Sequence, residues 1–338
     1  MTRLLTGEAA HALACDVLVA HRTSPANAAV VAHALVAADL DGIGSHGLSR
    51  LPVYAGQALC GKVDGFATPR VVATTAAAGQ GDACCGFAFP ALSLALEQAH
   101  ALATAAGIGA VAVANSHHCG VAGHHVEWLA ERGMVALMFA NTPAAMAPWG
   151  GDRASFGTNP IAFAAPRAAA QPPLVIDLSL SKVARGRIML ARQRGEAIEP
   201  GWALDADGQP TTDATAALAG SMVPLGDAKG AALALMVEIL AATLTGSLPA
   251  FEASSFLDAA GGPPRVGQLI IALSPQAFAA GDFTARIDHL IGHILGQVGT
   301  RLPGARRITV RAQRGQGAQG GLGRQAQRGH LAADAGDG

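Results

Sequence analysis

The sequence contains few charged and few aromatic residues. Asp, Glu, Lys and Arg make up 14% of its 338 residues, and Phe, Trp and Tyr make up 4%. Hydrophobic residues account for 51% of the chain, which excludes a protein that is disordered throughout. The 23 Lys and Arg residues nearly balance the 24 Asp and Glu residues. Because there is no surplus of positive charge, we expect neither a nucleic-acid partner nor a membrane partner.

The sequence also lacks long uninterrupted apolar runs and the cysteine spacings of metal sites. The most apolar stretch, residues 231–248, is interrupted by Glu238 and by Thr and Gly residues, and it predicts a buried helix. No basic segment followed by an apolar core stands at the start, so no export signal is expected. The five cysteines include no CxxC pair, which favours reduced thiols in a cytoplasmic protein over disulfides or a zinc site.

The glycine fingerprint of dinucleotide-binding proteins, GxGxxG, occurs at residues 315–320. No predicted strand precedes it and no helical pattern follows it, although the fingerprint needs both to direct its backbone amides at a pyrophosphate. We therefore reject this match, and a nucleotide would be bound by other means. Gly, Gln, Ala and Arg dominate this region, which predicts a disordered low-complexity tail over residues 313–338.

The hydrophobic pattern alternates between helical and strand periods, which predicts an α/β fold. A chain of 338 residues has room for one large domain or two interleaved ones. Predicted helices cover residues 9–19, 26–40, 48–56, 87–106, 121–132, 181–194 and 227–244, and predicted strands cover 108–114, 134–140, 174–178 and 268–272. Polar residues beginning at Asn115 and Asn141 follow two of these strands, so we expect chemistry at strand ends.

Residues 44–50 form the first segment that could carry chemistry. His46 stands beside Ser45 on a glycine-flanked loop, and Arg50 follows four residues later. A histidine can donate a proton near neutral pH, and an arginine can hold a carboxylate through two hydrogen bonds. The alternative is a histidine that caps the next helix, with the arginine on its solvent face.

Residues 115–125 form the second segment and hold four of the 12 histidines. Small residues here would let the backbone approach a ligand, and the imidazoles could donate to a phosphate or a carbonyl. Neither an HExxH motif nor a tetrahedral Cys/His spacing is present, so we do not expect a metal site. Packing of the histidines at a strand end is the alternative.

Two further positions offer ligand contacts. Thr158 and Asn159, framed by Gly157 and Pro160, could present a hydroxyl and an amide from a turn, although such turns also form without a ligand. Lys229, one of three lysines in the chain, stands at a predicted helix start. A cation and a helix dipole together suit an anion such as phosphate. A lysine that merely faces solvent is the alternative.

Six segments, in order along residues 9–307, together resemble the malate/L-lactate dehydrogenase family of NAD(P)-dependent oxidoreductases, which lacks the Rossmann fold. They are DGIGSHGLSRLPVY (41–54), NSHHCGVAGHH (115–125), GTNPIAFAAPR (157–167), VIDLSLSKVARG (175–186), GDAKGAAL (226–233) and RLPGARR (301–307). The resemblance implies a non-Rossmann α/β fold with a mixed sheet and interleaved domains. The catalytic unit would span residues 1–312, with a helical part over about 1–70 and a discontinuous cofactor-binding part over about 100–260.

The resemblance also implies a homodimer that binds a small carboxylate substrate and a nicotinamide nucleotide, NADP or NAD, with NADPH slightly favoured. His46 would donate the proton, Ser45 would be its relay partner, and His117 is the second candidate for the acid/base role. Arg50 would anchor the substrate carboxylate. The implied substrate contacts are Thr158 and Asn159, and the implied cofactor contacts are His118, Cys119, Gly120, Ile176, Asp177, Leu178, Ala228, Lys229, Gly304, Ala305 and Arg306.

The family contains both 2-hydroxy-acid dehydrogenases and reductases of cyclic imines such as Δ1-pyrroline-2-carboxylate and Δ1-piperideine-2-carboxylate. In the imine reductases an acidic residue completes a relay with the Ser and His, within the segment that matches residues 185–187. Arg185 and Arg187 occupy this segment here, which favours a dianionic 2-oxo acid such as sulfopyruvate or oxaloacetate. We expect a 2-hydroxy-acid dehydrogenase, with a cyclic-imine reductase as the alternative and an inactive binding protein as a remote one.

Overall fold

A seven-stranded mixed sheet lies at the centre of the molecule. The computed structural model describes residues 5–168, 171–278, 281–305, 307 and 310, together with the backbone of 328–329. The strands in these ranges are β1 (Leu5–Thr6), β2 (Arg70–Ala73), β3 (Ala78–Asp82), β4 (Ile108–Ser116), β5 (Val135–Ala140), β6 (Ile161–Ala165), β7 (Leu174–Leu178), β8 (Ala203–Leu204), β9 (Pro210–Thr211), β10 (Ser221–Met222), β11 (Val266–Leu273) and β12 (Arg328–Gly329).

The central sheet has the strand order β2-β3-β4-β11-β5-β6-β7. Strands β3 and β4 pair in parallel, and the other neighbouring strands of this sheet pair antiparallel. Strand β11 lies between β4 and β5 although it comes far later in the chain. The predicted α/β class with a mixed sheet is confirmed, and the interleaving of late and early strands brings distant segments to the same sheet edge.

The helices in the described ranges are α1 (Gly7–Ala20), α2 (Pro25–Leu40), α3 (Leu51–Cys60), α4 (Ala88–Ala106), α5 (Ala122–Ala130), α6 (Arg185–Arg194), α7 (Ala214–Ala219), α8 (Ala228–Glu238), α9 (Pro275–Phe278) and α10 (Phe283–Leu295). The start of α2 shows why the sequence forms a helix there. The Ser24 hydroxyl accepts a hydrogen bond from the backbone N–H of Asn27, and Pro25 occupies the first helical position.

Helices α4 and α5 pack on the central sheet, α4 against β4 and α5 against β5 and β6. The buried cluster between them contains many alanines, so the helices lie close to the strands. Gly109 of β4 shows how close: a Cβ at this position would overlap the backbone carbonyl of Ala99 in α4. This tight packing fixes the start of β4 against α4, and the histidine-rich segment begins at the other end of the same strand.

Two further apolar clusters flank the sheet. Helices α1, α2 and α3 enclose one of them, which includes the fully buried Tyr54. The other lies among α6, α7, α8 and a small sheet with the strand order β10-β8-β9. Both clusters border the segments in which the sequence predicts functional residues.

Among the predicted helices, the largest differences between predicted and observed ends are in α3, α6 and α8. Helix α6 begins at Arg185 and not at Ser181, because Ser181 forms a β-bridge with Pro224. The regular helix α8 ends at Glu238, and a π-helical turn follows it. Arg50 lies on a short 3-10 turn that precedes α3 and not within a helix.

None of the helices in the described ranges is both long enough and apolar enough to cross a membrane. The tail predicted over residues 313–338 lies outside the described residues, apart from Arg328 and Gly329. The backbones of these two residues pair with Thr6 and Leu5, respectively, so that β12 and β1 form a small antiparallel sheet.

Candidate active site

The loop that carries Ser45 and His46 connects α2 to α3 and is fixed by Asp39. The buried carboxylate of Asp39 accepts a hydrogen bond from the backbone N–H of Leu48 at 2.8 Å. A Cβ at Gly47 would overlap the same carboxylate, so glycine is required at this point of the loop. The Asp39 carboxylate therefore fixes the loop at Gly47 and Leu48, directly after the predicted proton donor His46.

Ser45, His46 and Arg50 are joined within this loop, as the sequence suggested. Ser45 Oγ lies 3.0 Å from His46 Nδ1, and Arg50 Nε donates to the Ser45 carbonyl oxygen at 2.8 Å. Neither terminal nitrogen of the Arg50 guanidinium hydrogen-bonds to any of the described residues. A planar guanidinium fixed through Nε keeps two parallel N–H groups for a carboxylate.

The electrostatic surroundings keep His46 neutral at neutral pH. Burial, followed by the charges of Arg50 and His124, lowers its pKa to about 4. An uncharged imidazole can accept a proton. A carboxylate bound to Arg50 would offset one of the charges that disfavour the protonated form.

A second imidazole, that of His118, stacks on His46. Their ring centroids are 5.3 Å apart and their planes are inclined by 23°. The Tyr54 hydroxyl lies 2.6 Å from His118 Nδ1 and orients that ring. Burial raises the pKa of Tyr54, so the phenol keeps its proton, and burial lowers the pKa of His118 well below its usual value. The predicted proton donor and the first predicted cofactor contact are thus neighbours.

His117 is buried beside this pair within an aromatic cage. Its ring centroid lies 5.5 Å from that of Tyr54, 6.1 Å from that of Phe87 and 5.2 Å from that of Phe256. Neither ring nitrogen has a hydrogen-bond partner among the described residues. Burial, followed by the charges of Lys62 and Arg50, lowers the pKa of His117 to about 3. Buried polar atoms are normally paired, so these two nitrogens suit a site that a ligand completes.

Three of the predicted cofactor-binding segments meet around β7. A Cβ at Gly304 would lie 2.8 Å from the Val175 carbonyl oxygen, which places the segment 304–305 directly against this strand. Asp177 Oδ2 accepts a hydrogen bond from the backbone N–H of Gly123 at 2.7 Å, in the first turn of α5. The segment 118–120 leads into that same turn. Residues distant in sequence therefore form one surface.

The fourth predicted cofactor segment begins α8 and lies beside the residues that follow β7. The Leu225 N–H donates to the Leu180 carbonyl oxygen at 2.8 Å. No side chain caps the N-terminus of α8, and Ala228 and Lys229 are exposed in its first turn. An uncapped helix start with a lysine beside it fits a phosphate. These four segments are suited to hold a nicotinamide nucleotide. Arg306 lies outside the described residues.

An ion-pair network links the C-terminal segment to the catalytic loop. Arg307 Nε donates to Asp41 Oδ2 at 2.9 Å, and its terminal nitrogen donates to Glu127 Oε2 at 2.5 Å. His124 Nε2 lies 2.9 Å from the same oxygen of Asp41. Because Asp41 caps the end of α2, directly before the loop at residues 42–47, Arg307 connects the predicted cofactor-binding segments to the predicted proton donor.

Thr158 and Asn159 differ in their availability to a substrate. Asn159 is fully buried, and its amide nitrogen donates to Glu238 at 2.8 Å and to the Ala234 carbonyl oxygen at 3.0 Å. Thr158 is partly exposed, and its hydroxyl lies 3.3 Å from that of Thr142. The amide of Asn159 therefore fixes the turn, while the hydroxyl of Thr158 is the group that a ligand could reach.

Within the described residues, no group of three or more His, Cys, Asp or Glu side chains is arranged to hold a metal ion. The sequence alone predicts no role for Tyr54, Phe256, Asp41 or Arg307. Tyr54 could have been noticed as the single tyrosine of the chain. Asp41 and Arg307 lie inside matched segments, but their partnership depends on the folded structure. No feature of the sequence indicated a role for Phe256.

Comparisons with known proteins identify the family of the chain. A family model described as malate/L-lactate dehydrogenase matches residues 5–319. A protein named (2R)-3-sulfolactate dehydrogenase (NADP(+)), from Chromohalobacter salexigens, is 52% identical over 316 residues, which are 94% of each chain. A Delta(1)-pyrroline-2-carboxylate/Delta(1)-piperideine-2-carboxylate reductase from Pseudomonas putida is 43% identical over 296 residues, covering 86% of this chain and 85% of that protein.

Solved structures give the same result. The delta1-piperideine-2-carboxylate reductase from Pseudomonas syringae pvar. tomato superposes with a TM-score of 0.88 at 38% identity, covering 96% of this chain and 97% of that one. The sulfolactate dehydrogenase from Methanocaldococcus jannaschii superposes with a TM-score of 0.84 at 30% identity, covering 92% and 91%. The chain therefore belongs to the malate/L-lactate dehydrogenase family. It is an NAD(P)-dependent oxidoreductase, as the sequence predicted.

Proposed function

We propose that this enzyme interconverts a small 2-hydroxy acid and its 2-oxo acid, with a sulfolactate-type dianion as substrate and NADP as cofactor. The observation that carries the proposal is the Ser45–His46–Arg50 arrangement stacked on His118. His46, which would transfer the proton, and Arg50, which would bind the carboxylate, lie close together beside the segments suited to a nucleotide. The 52% identity to the NADP-dependent sulfolactate dehydrogenase supports the choice of substrate and cofactor.

His46 would transfer the proton in both directions of the reaction. The bound nicotinamide accepts or supplies the hydride. In the oxidation of a hydroxy acid, neutral His46 accepts the hydroxyl proton. In the reduction of an oxo acid, the protonated imidazole returns this proton to the carbonyl oxygen. The substrate carboxylate on Arg50 favours the charged imidazole at the moment when it is needed, because it offsets a positive charge that lowers the pKa of His46.

Ser45 would orient the imidazole. Its hydroxyl hydrogen-bonds to Nδ1, which leaves Nε2 of His46 for the substrate oxygen. Because Nε2 gains and loses the proton, Nδ1 keeps its hydrogen in both protonation states and can donate it to Ser45 Oγ throughout the reaction. His117 is the second candidate for the acid/base role, and its two ring nitrogens without partners among the described residues support that possibility.

The start of α6 supports a dianionic substrate. Its first turn carries Arg185 and Arg187 and no acidic residue. The Arg185 guanidinium is half-buried and donates through one terminal nitrogen to the Leu218 carbonyl oxygen at 3.1 Å. A sulfonate or second carboxylate near these cations would be stabilised, whereas a cyclic imine bears a single carboxylate. The 43% identity to the Pseudomonas putida reductase keeps the cyclic-imine activity as the second candidate.

We also propose that two copies associate through α8. Five large apolar side chains on α8 and the following turns are 37% to 61% exposed, and such a patch is typical of a protein–protein interface. They are Leu233, Leu235, Met236, Ile239 and Leu244. Sedimentation of the wild-type protein should give a dimer, and a charged substitution at Met236 should produce monomers.

A single assay tests the substrate proposal. The purified protein is mixed with NADPH or NADH, and the absorbance of the reduced nicotinamide is followed with pyruvate, oxaloacetate, sulfopyruvate and the two cyclic imines. Turnover confined to the 2-oxo acids, fastest with sulfopyruvate, is the expected result. Turnover confined to the cyclic imines would replace the proposal with the reductase activity. Failure to bind either nucleotide would point to an inactive member of the family.

A further inference from the structure

Lys62 is a buried cation outside the predicted catalytic set. Its side chain is fully inaccessible, and its ammonium donates to the carbonyl oxygens of Ser255 at 2.7 Å, Asp258 at 3.2 Å and Ala260 at 2.5 Å. It also lies 3.4 Å from Asp258 Oδ1, on a side chain that is 53% exposed. Burying an ammonium is costly unless acceptors surround it, and here three carbonyls of one short segment do so.

A second side chain from α3 holds the same segment. Gln57 is fully buried, and its amide nitrogen donates to the Asp258 carbonyl oxygen at 2.8 Å. Residues 255–260 have no helix or strand of their own. Gln57 and Lys62 therefore hold three of the segment's carbonyl oxygens from the end of α3, in place of the hydrogen bonds of regular secondary structure.

This segment carries the aromatic ring that touches the two central histidines. The ring centroid of Phe256 lies 5.2 Å from that of His117 and 5.2 Å from that of His118. Phe256 is 8% exposed, and His118 in turn stacks on His46. Contacts thus run continuously from the Lys62 ammonium through the segment and Phe256 to the predicted proton donor.

We propose that Lys62 is a positioning residue for the reaction: through residues 255–260 it holds Phe256 against His117 and His118 and so fixes both imidazoles beside His46. The inference rests on the proposed function, because it presumes that these histidines act on substrate or cofactor. With apolar packing alone, Phe256 would lie on a loop without regular structure and could shift. Displacement of a catalytic imidazole by about 1 Å can greatly lower the reaction rate.

The charge of Lys62 has a second effect that must be separated from the first. His117 faces Lys62, Arg50, Tyr54 and His118, and the two cations lower its pKa. The two anchors of the segment differ in charge, and this difference provides the control. Gln57→Met removes a neutral anchor and Lys62→Met removes a charged one. If Phe256 loses its position, both variants should be affected. A change in the pKa of His117 that arises from the missing positive charge should appear in Lys62→Met alone.

The test compares Lys62→Met, Gln57→Met, Phe256→Leu and the double variant Lys62→Met/Phe256→Leu with wild type. Phe283→Leu, in the distant helix α10, controls for a generic loss of aromatic packing. With sulfopyruvate and NADPH, kcat should fall about tenfold or more in Lys62→Met and Phe256→Leu and less in Gln57→Met. The KM for NADPH should change less than about threefold. The double variant should be no slower than the slower single variant, because both substitutions act on one ring.

Histidine NMR of the free protein supplies a readout that does not require turnover. The ring signals of His117 and His118 should broaden or shift in Lys62→Met, Gln57→Met and Phe256→Leu, and should stay unchanged in Phe283→Leu. Wild-type kcat in Lys62→Met, multiplicative losses in the double variant, or unaltered ring signals in all variants would overturn the inference. If wild type turns over none of the substrates, the proposed function fails, while the NMR experiment still tests the positioning.

Discussion

His46 stacks on His118 with 5.3 Å between their ring centroids, and this contact joins the catalytic loop to the segment beside the nucleotide-binding surface. Both imidazoles have lowered pKa values, chiefly because desolvation disfavours their charged forms. Two stacked imidazoles cannot both carry a charge at low cost. In the proposed function, His118 would therefore favour a neutral His46 until a substrate carboxylate binds to Arg50.

Replacing His46 by Ala should lower kcat by about 10²- to 10⁴-fold, because a proton donor acts mainly in the transition state. The Kd for NADPH, measured by quenching of protein fluorescence, should change less than about threefold, since the stacking partner His118 stays anchored by Tyr54. The matched variant is His117→Ala. If His46→Ala keeps its turnover and His117→Ala loses it, the acid/base role belongs to His117.

Replacing Arg50 by Lys should raise the substrate KM by about 10- to 100-fold, because an ammonium cannot offer two parallel N–H groups to a carboxylate. The positive charge is kept, so the acid limb of the pH profile should stay close to that of wild type. Arg50→Gln removes the charge as well, and the pKa of His46 in the free enzyme should then rise. Unchanged KM in both variants would remove Arg50 from the substrate site.

Replacing His117 by Phe should make folding stability less sensitive to acid. The pKa of His117 falls from 6.5 to about 3 on folding, so the unfolded chain binds this proton more readily. The resulting stability is complete above about pH 6.5 and is lost as the pH falls towards 3. Between pH 7 and 4.5, wild type should lose about 2 to 3 kcal/mol more than the variant.

Urea unfolding at these two pH values measures the effect. Phenylalanine can pack within the aromatic cage, and any packing cost is the same at both pH values, so it cancels in the comparison. An equal loss of stability on acidification in the two proteins would mean that His117 is not held in its neutral form by the fold.

Replacing Arg307 by Gln should lower the free energy of unfolding by about 3 kcal/mol, because it removes the guanidinium that two buried carboxylates share, although His124 still contacts Asp41. Those carboxylates, on Asp41 and Glu127, are 4% and 9% exposed. Arg167→Gln is the matched control. It breaks one ion pair, with Asp288, whose side chain is 25% exposed, and should cost about 1 kcal/mol or less. Denaturant unfolding of both variants decides the comparison, and equal losses would contradict it.

The elements with strong periodicity could be predicted from the sequence, and those formed by tertiary contacts could not. Helix α4 and strand β7 were predicted to within a residue, because their apolar patterns continue to their ends. The start of α6 was predicted four residues too early, since Ser181 is drawn into a β-bridge by Pro224, far along the chain. Strand β6 was missed because nothing local distinguishes its short apolar run from a buried loop.

The candidate site shows the same division. Ser45, His46 and Arg50 lie within six residues, so local sequence predicts their association, and the structure brings them together. The roles of these residues and of His117 stay predictions. The contacts of Phe256 with the histidines and of Arg307 with Asp41 join residues more than a hundred positions apart. Only the folded chain supplies such pairs.

Tyr54 is the single tyrosine of the chain, and its hydroxyl meets His118. Tyrosine absorbance in the ultraviolet therefore comes from one buried position next to the catalytic loop. Its difference spectrum reports the state of this one hydroxyl without any label. Nucleotide binding, substrate binding or proton uptake at the neighbouring imidazoles would change the surroundings of this hydroxyl. Each event should therefore alter the tyrosine contribution to the ultraviolet difference spectrum, beside that of the three tryptophans.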